Sequence, residues 1–309
     1  MGQETSKKIG LITGDEKEWP AAFLAGINQQ KGFVGEMAKI GPTYMDEPIP
    51  YSVIVDRISH DIPYYRAYLK YAAVQGAYLI NDPLTKAIDQ KFFGIALIQK
   101  LGLKTPRTVV LPNKDIDVDT NPDSFRNLKY PMIWNDIIDY VGVPAILKDI
   151  KNGGRRDVRR VIDVDDLLRN YDESGIRTMV LQQIIESDNH IHCFVVGQKR
   201  VMCLQYSLKD GRYLPDILPT NKGVGRKVKE MATKITQAFQ YDINMVEFVA
   251  ENDELYVINP TNPSPEINQD LMTTEQFSWC VAETVNITVE RANNPIPNIT
   301  DIFLSKSQR

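Results

Sequence analysis

The chain has few of the residues from which the simplest sites are built. Its 309 residues include three cysteines and three histidines. Cys193, Cys203 and Cys280 lie far apart and form no C-x-x-C pair, which argues against a zinc site or a disulfide framework and fits a reducing cytosol. Long apolar runs are missing, so no stretch reads as a membrane span. Met1 to Lys8 is polar and lacks the apolar centre of a signal peptide. These absences give a cytoplasmic expectation. Positive charge is not in excess: a net charge of -4 offers no basic face for nucleic acid. There is no internal repeat, no low-complexity segment and no convincing Ser-His-Asp set.

What is present is ordinary for a soluble globular protein, 43% hydrophobic and 25% charged, and long enough for two or three domains with real cores. Lys8 to Gly14 reads as a first strand. Asp15 to Lys39 follows in a loosely helical pattern carrying Trp19, Phe23, Ile27 and Met37. Tyr51 to Asp56 is a strand, Asp61 to Gly76 a helix with Pro63 in its first turn, and Ala77 to Asn81 a third strand. Strand and helix in alternation predict a small parallel sheet with helices over it. Beyond Asp82, Asp89 to Leu101 reads as a helix, Thr108 to Leu111 as a strand, and Asn113 to Tyr130 as a long surface loop. Trp134 to Tyr140 is a short helix and Pro144 to Ile150 a strand; Val158 to Val161 returns as a strand. Val164 to Tyr171 is a helix that Asp163 can cap. Strands follow at Met179 to Ile185, His192 to Gly197 and Arg200 to Tyr206. Lys209 to Gly225 is loop-like, Arg226 to Phe239 an amphipathic helix, and Glu275 to Arg291 the last long helix. The pattern divides into residues 1–81, 82–185 and 186–309.

Met245 to Glu266, MVEFVAENDELYVINPTNPSPE, holds the most chemistry. Two apolar strands flank an acidic turn, Glu251 to Glu254. A carboxylate inside an apolar strand is costly to bury unless it is paired or binds a metal. Across the hairpin from Glu247 stand Asn259 and Asn262, which makes an all-oxygen donor set of the kind Mg²⁺ takes beside substrate phosphates. The same pattern also suits an ordinary edge hairpin with Glu247 on its wet face.

Other positions carry a similar ambiguity. Lys148 ends an apolar strand just before Gly153 and Gly154; an ammonium there can reach a phosphate, and an edge strand can equally expose it to water. The glycine pair can form a backbone anion nest, with Arg155 and Arg156 beside it, or simply a hairpin turn. It matches neither G-x-x-x-x-G-K-[ST] nor G-x-G-x-x-G. Gln183, Ile184 and Ile185 end a strand that can offer backbone groups to the edge of a base, with Glu186 near a ribose, or run into a polar turn. Lys91 stands in the first turn of its helix, where most lysines are solvated.

Taken in order, Lys91, Lys148 with Gly153 and Gly154, Gln183 to Glu186, and Glu247 with Asn259 and Asn262 resemble the ATP-grasp superfamily. The nearest likeness is to glutathione synthetases and ribosomal-protein glutamate ligases. It is carried by DQKFFGIALIQKLGLKTPRTVVLP, PAILKDIKNGGRRDVRRV, LQQIIESDNHIHCFVVGQKRV and the hairpin segment, over about residues 82 to 290. DIPYYRAYLKYAAVQGAYLINDP is similar to a bacterial subgroup of ATP-grasp proteins whose substrate is not assigned. The resemblance implies an α/β fold of ATP-grasp architecture: a small N-terminal parallel-sheet domain and two α+β subdomains that clasp ATP. It implies that Lys91 and Lys148 contact ATP phosphates and that residues 151–156 close over them. Gln183, Ile184 and Ile185 would read adenine, Glu186 would hold ribose, and Glu247, Asn259 and Asn262 would hold Mg²⁺. The implied reaction joins a small-molecule or peptide carboxylate to an amine or thiol through an acyl phosphate, and needs no protein nucleophile. Arg155, Arg156 and His192 would face the reacting groups, and Arg66 and Arg226 join the two arginines as candidates to hold a carboxylate. Relatives often pair, which implies a homo-oligomer.

Three departures stand out. Asn259 occupies a place the family gives to an acid. His192 stands where relatives commonly carry arginine. The loop after Lys148 starts with charged residues and few glycines. They motivate an alternative from another class, a nucleotide-binding protein that senses or scaffolds without ligating. A plain α/β binding domain is the third reading.

Overall fold

The computed structural model describes residues 6–84, 90–115, 119, 121–150, 158–297 and 301. By their contacts the residues fall into two compact units, one of Met1–Ala87, Asp188–Phe248 and Thr261–Arg309, the other of Ile88–Ser187 and Val249–Pro260.

The first unit begins with β1 (Lys7–Ile12), α1 (Glu18–Asn28), β2 (Phe33–Met37), β3 (Val53–Asp56), α2 (Pro63–Val74) and β4 (Tyr78–Ile80). The strands form a parallel sheet in the order β2-β1-β3-β4, as strand-helix alternation predicts. Trp19, Phe23 and Ile27 fall on one buried stripe of α1. Met37 does not continue that stripe. Gly32, at φ 84°, takes a backbone conformation that side chains resist, and the chain then turns into β2, where Met37 pairs with Leu11. The single helical reading of residues 15–39 is corrected to a helix and an edge strand.

The second unit holds α3 (Gln90–Lys100), β5 (Thr108–Leu111), α4 (Trp134–Val141), β6 (Ala145–Asp149), β7 (Arg159–Val161), α5 (Val164–Asp172) and β8 (Met179–Gln183). Its sheet is antiparallel in the order β5-β8-β6-β7. Asp163 caps α5 by accepting from the Asp166 N–H. Alternation sends Ala145, Leu147, Met179 and Leu181 to one face, where they pack with Val141 and Leu167. The stretch from Asn113 to Tyr130, read as a loop throughout, contains a 3₁₀ turn at Pro122–Phe125, entered through a reciprocal Asn121–Ser124 cap.

The chain continues with β9 (His190–Val196), β10 (Arg200–Ser207), β11 (Arg212–Ile217), α6 (Gly223–Ala238), β12 (Ile243–Glu251), β13 (Glu254–Asn259) and α7 (Thr274–Asn293), the strands lying in the order β11-β10-β9-β12-β13. β11 replaces part of the loop expected between Lys209 and Gly225. Tyr213 is its one buried residue, and Pro215 is tolerated because the strand lies at an edge. The turn after β12 places Asn252 and Asp253 at φ 49° and 64°, residues that accept left-handed backbone in a two-residue hairpin. β13 and the last residues of β12 belong to the second unit. Within the first unit, Leu11, Phe23 and Val55 share one hydrophobic core with Phe194, Met245 and Phe277, so the first and last thirds of the chain are packed as one body. Among the described residues no helix is long and apolar enough to cross a membrane.

A polar network lies in the first unit. Asp242 is 3% exposed and Arg291 6%. Arg291 donates from Nε and Nη2 to Asp242 Oδ1 at 3.0 and 2.6 Å, and the Tyr78 hydroxyl donates to Oδ2 at 2.6 Å. Burial and then the Asp242 charge push the Tyr78 hydroxyl far above its ordinary pKa, so it stays a donor. Asn81 accepts from the Asp242 and Ile243 N–H groups and donates to the Ile243 carbonyl. A second ion pair stands at the end of β3, where Arg57 grips both oxygens of Glu16 at 2.7 and 2.6 Å. Burial alone would raise the Glu16 pKa; Arg57 outweighs it and holds the carboxyl below its ordinary value of 4.5.

Two outcomes follow. Asp242→Ala or Arg291→Ala strands a buried charge and should cost about 3–5 kcal/mol in urea unfolding, whereas Asp242→Leu combined with Arg291→Met should cost less than either alone. The Glu16 pair should stabilise the fold fully above the unfolded carboxyl pKa and lose that contribution as pH falls through the lower folded one. The melting-temperature gap between wild type and Glu16→Gln should therefore be widest near neutrality and narrow below the ordinary carboxyl value of 4.5.

Candidate functional site

In the second unit, the sheet face turned away from the core carries polar side chains among apolar ones. Thr108, Gln182, Ile146 and Arg160 stand opposite one another across four strands, and Lys148 stands opposite Val180. Lys148 Nζ donates to Gln182 Oε1 at 2.8 Å, and Gln182 Nε2 donates to Thr108 Oγ1 at 3.2 Å. Lys148 is half-buried there, its ammonium held rather than free in water. Gln182 and Thr108 had no sequence signal; only the strand register shows that they share the lysine's face.

The strand end after β8 is partly committed. The N–H of Gln183 donates to the Arg107 carbonyl at 2.9 Å and that of Ile184 to Pro144 at 3.0 Å. The Ile185 carbonyl also accepts, from the Ser187 N–H at 3.1 Å. Glu186 is exposed and stands 3.6 Å from Arg160, a surface pair worth little by itself. Lys91 lies in the first turn of α3, and its side chain is outside the described residues, as are Gly153, Gly154, Arg155 and Arg156.

In the first unit, β12 carries Glu247, with its Oε2 3.9 Å from His192 Nε2 on β9. The other ring nitrogen, Nδ1, lies 3.0 Å from the Tyr213 hydroxyl, which itself lies 3.4 Å from the Met245 sulfur. Tyr206 stacks on the imidazole at 4.9 Å. Burial, then the Glu247 charge, pushes the Tyr213 hydroxyl well above its ordinary pKa, so it remains protonated. His192 is thus placed beside the expected metal-binding carboxylate, in an aromatic box that the sequence did not reveal. Asn262 is bonded in both directions to Met245, two residues before Glu247. Its N–H also donates to Asn244 Oδ1, and its own Oδ1 accepts from the Ser264 N–H at 3.2 Å. Asn259 ends β13, in the second unit. Arg66 is tied to the carbonyls of Ser59 and His60, and Arg226 pairs with Glu230 on its own helix.

The donor chemistry suits a hard cation. Glu247 and Asn262, both in the first unit, offer oxygen ligands, and a carbonyl-type oxygen with one hydrogen bond keeps a second lone pair. Among the described residues no three His, Cys, Asp or Glu side chains gather into a metal cluster. Such a set fits Mg²⁺ that keeps waters and shares phosphate oxygens, not a cation caged by protein alone.

Residues 88–276 match the RimK-like ATP-grasp domain. The alpha-aminoadipate–LysW ligase LysX of Sulfolobus acidocaldarius is 23% identical over 205 residues, 61% of this chain and 66% of that protein. A probable alpha-L-glutamate ligase of Legionella pneumophila is 25% identical over 204 residues, 62% of this chain and 61% of that protein. The match thus spans under two thirds of these relatives' own length. The fold is similar to that of the ATP-grasp ligase PsnB, solved with a minimal precursor, Mg and ADP, at a TM-score of 0.61 and 13% identity over 93% of this chain and 98% of that one. With its mixed sheets, its hairpin carboxylate and a match over more than half its length, the chain belongs to the RimK-like ATP-grasp family.

Proposed function

We propose that the protein is an ATP- and Mg²⁺-dependent ligase that joins a carboxylate to an amine, or to a thiol, through an acyl phosphate. The observation that carries this reading is the β12 site, where Glu247 lies beside His192 and the backbone of Asn262 is bonded to that of Met245. LysX and the glutamate ligase are named for amino-acid substrates, and PsnB was also solved with the precursor peptide PsnA2. They support a carboxylate on an amino acid or peptide as the class of substrate.

Lys148 and Lys91 bind the phosphates, Lys148 from a position already set by Gln182. In this reading residues 151–156 close over them. The end of β8 takes the adenine edge and Glu186 the ribose. Glu247, Asn259 and Asn262 hold Mg²⁺, which when bound offsets charge on the transferring phosphoryl group. The substrate carboxylate oxygen takes the γ-phosphoryl group and ADP leaves. The amine then attacks the acyl carbon, phosphate departs, and the amine loses a proton. Arg155 and Arg156 supply donors to charged oxygens, and His192 orients Glu247. Residues 1–81, 82–185 and 186–309 are the functional divisions of this reading. A cytoplasmic, homo-oligomeric enzyme is its setting, in keeping with the free cysteines.

Asn259 and His192 favour a second reading, nucleotide binding without ligation. An amide in the place of an acid leaves the metal with one negative charge fewer.

Thermal unfolding with and without MgATP, with ADP assayed in the same samples, separates the readings. ATP at a hundred times its dissociation constant should add about 2.7 kcal/mol and raise the melting temperature by several degrees. ADP formed only with a carboxylate and an amine identifies a ligase; a shift without ADP identifies a binder. Glu247→Gln and Lys148→Ala should each weaken ATP binding, and wild-type affinity in both would remove the site assignment. Asn259→Asp should lower the Mg²⁺ concentration needed for half-maximal binding.

A further inference from the structure

Arg57 is 4% exposed and is not among the residues the sequence assigns to any site. It follows β3 directly, and its N–H continues the ladder to the Ile12 carbonyl at 2.9 Å. Its guanidinium lies 4.4 Å over the Trp19 ring. Nε and Nη2 take the two oxygens of Glu16, and Nη2 also donates to the Pro265 carbonyl at 2.5 Å. A buried ion pair is poor evidence for stability, because apolar residues of like volume often serve as well. A planar fork that satisfies a carboxylate and a distant backbone carbonyl together sets geometry instead.

Pro265 lies in the turn after Asn262. Pro263 and Pro265 have no N–H and cannot donate to a ladder, so the turn depends on donors brought from elsewhere. Three attachments fix it. Asn262 is bonded to Met245 and Asn244 at one end, Pro265 is held by Arg57 in the middle, and the Gln269 N–H reaches Glu18 Oε2 at the far end. Between them Ser264 Oγ is buried without a hydrogen-bond partner among the described residues, so the turn is held against a local cost.

We propose that Arg57 is a positioning residue for the metal site: through Pro265 it fixes the turn that carries Asn262, and so sets the Mg²⁺ requirement of nucleotide binding. This rests on the ligase reading only in taking Asn262 as a metal ligand. The Glu16–Arg57 pair, at the mouth of the parallel sheet, thereby tunes a ligand that lies some two hundred residues further along the chain.

The test compares wild type, Arg57→Lys, and Arg57→Met combined with Glu16→Leu, which leaves no orphaned carboxylate. Each is titrated with Mg²⁺ at fixed ATP, reading heat of binding, and hydrogen exchange is followed over residues 261–272 without ligand. The double variant should keep its circular dichroism, exchange faster over that segment alone, and need about 10- to 100-fold more Mg²⁺. Arg57→Lys, which keeps the charge but not the fork, should fall between the two. Wild-type Mg²⁺ dependence in the double variant would overturn the proposal. If wild type itself binds no MgATP, the ligase reading fails and exchange alone decides: unchanged protection over residues 261–272 in both variants would overturn the positioning role as well. Should the double variant not fold, Arg57→Lys carries the same two readouts.

Discussion

A carboxylate and a guanidinium are costly to take out of water unless each satisfies the other, and Asp242 and Arg291 meet that condition in the core of the first unit. Three pieces of chain far apart in sequence converge on Asp242. Tyr78 arrives from the last strand of the parallel sheet, Arg291 from the final helix, and the side chain of Asn81 accepts from the Asp242 and Ile243 N–H groups and donates to the Ile243 carbonyl. β12 starts at the next residue, so the network sets where that strand begins. Glu247 then falls on its place by simple alternation along the strand.

Rigid placement continues outward from β12. His192 is held between Tyr206 and Tyr213 and cannot swing away from Glu247 without breaking a stack and a hydrogen bond. In the second unit, Lys148 is held the same way by Gln182, which in turn leans on Thr108. Long cations lose much side-chain entropy when fixed; holding them in advance lowers that loss on binding an anion.

The parallel sheet, the amphipathic helices and the acidic turn of the hairpin were legible because each is a local pattern. Trp19, Phe23 and Ile27 recur at helical spacing, and Asn252-Asp253 is a turn by its own backbone preferences. β2 and β11 were not legible. Both lie at sheet edges and bury few residues, so their partners, and not their composition, make them strands. At the candidate site, Glu247 and Lys148 stand out in the sequence because a charge inside an apolar run is conspicuous. Tyr213, Gln182 and Arg57 could not, because a buried tyrosine, a glutamine in a strand and a lone arginine after a strand have no period or motif; their roles depend on register between distant segments. The family resemblance supplied the order of the site, while the partners that hold each group came from the fold.

The Asn81 side chain spans a junction with consequences for descent. It bonds to backbone at the start of β12, not to side chains, so it tolerates change in what β12 carries but not in where β12 lies. Tyr78, Asn81, Asp242 and Arg291 therefore form one bonded network that joins the end of the parallel sheet to the start of β12 and to the last helix. A recombinant that exchanges the first eighty residues with those of a relative will join two incompatible halves unless all four travel together. The N-terminal sheet is thus less a detachable module than one wall of a shared interior.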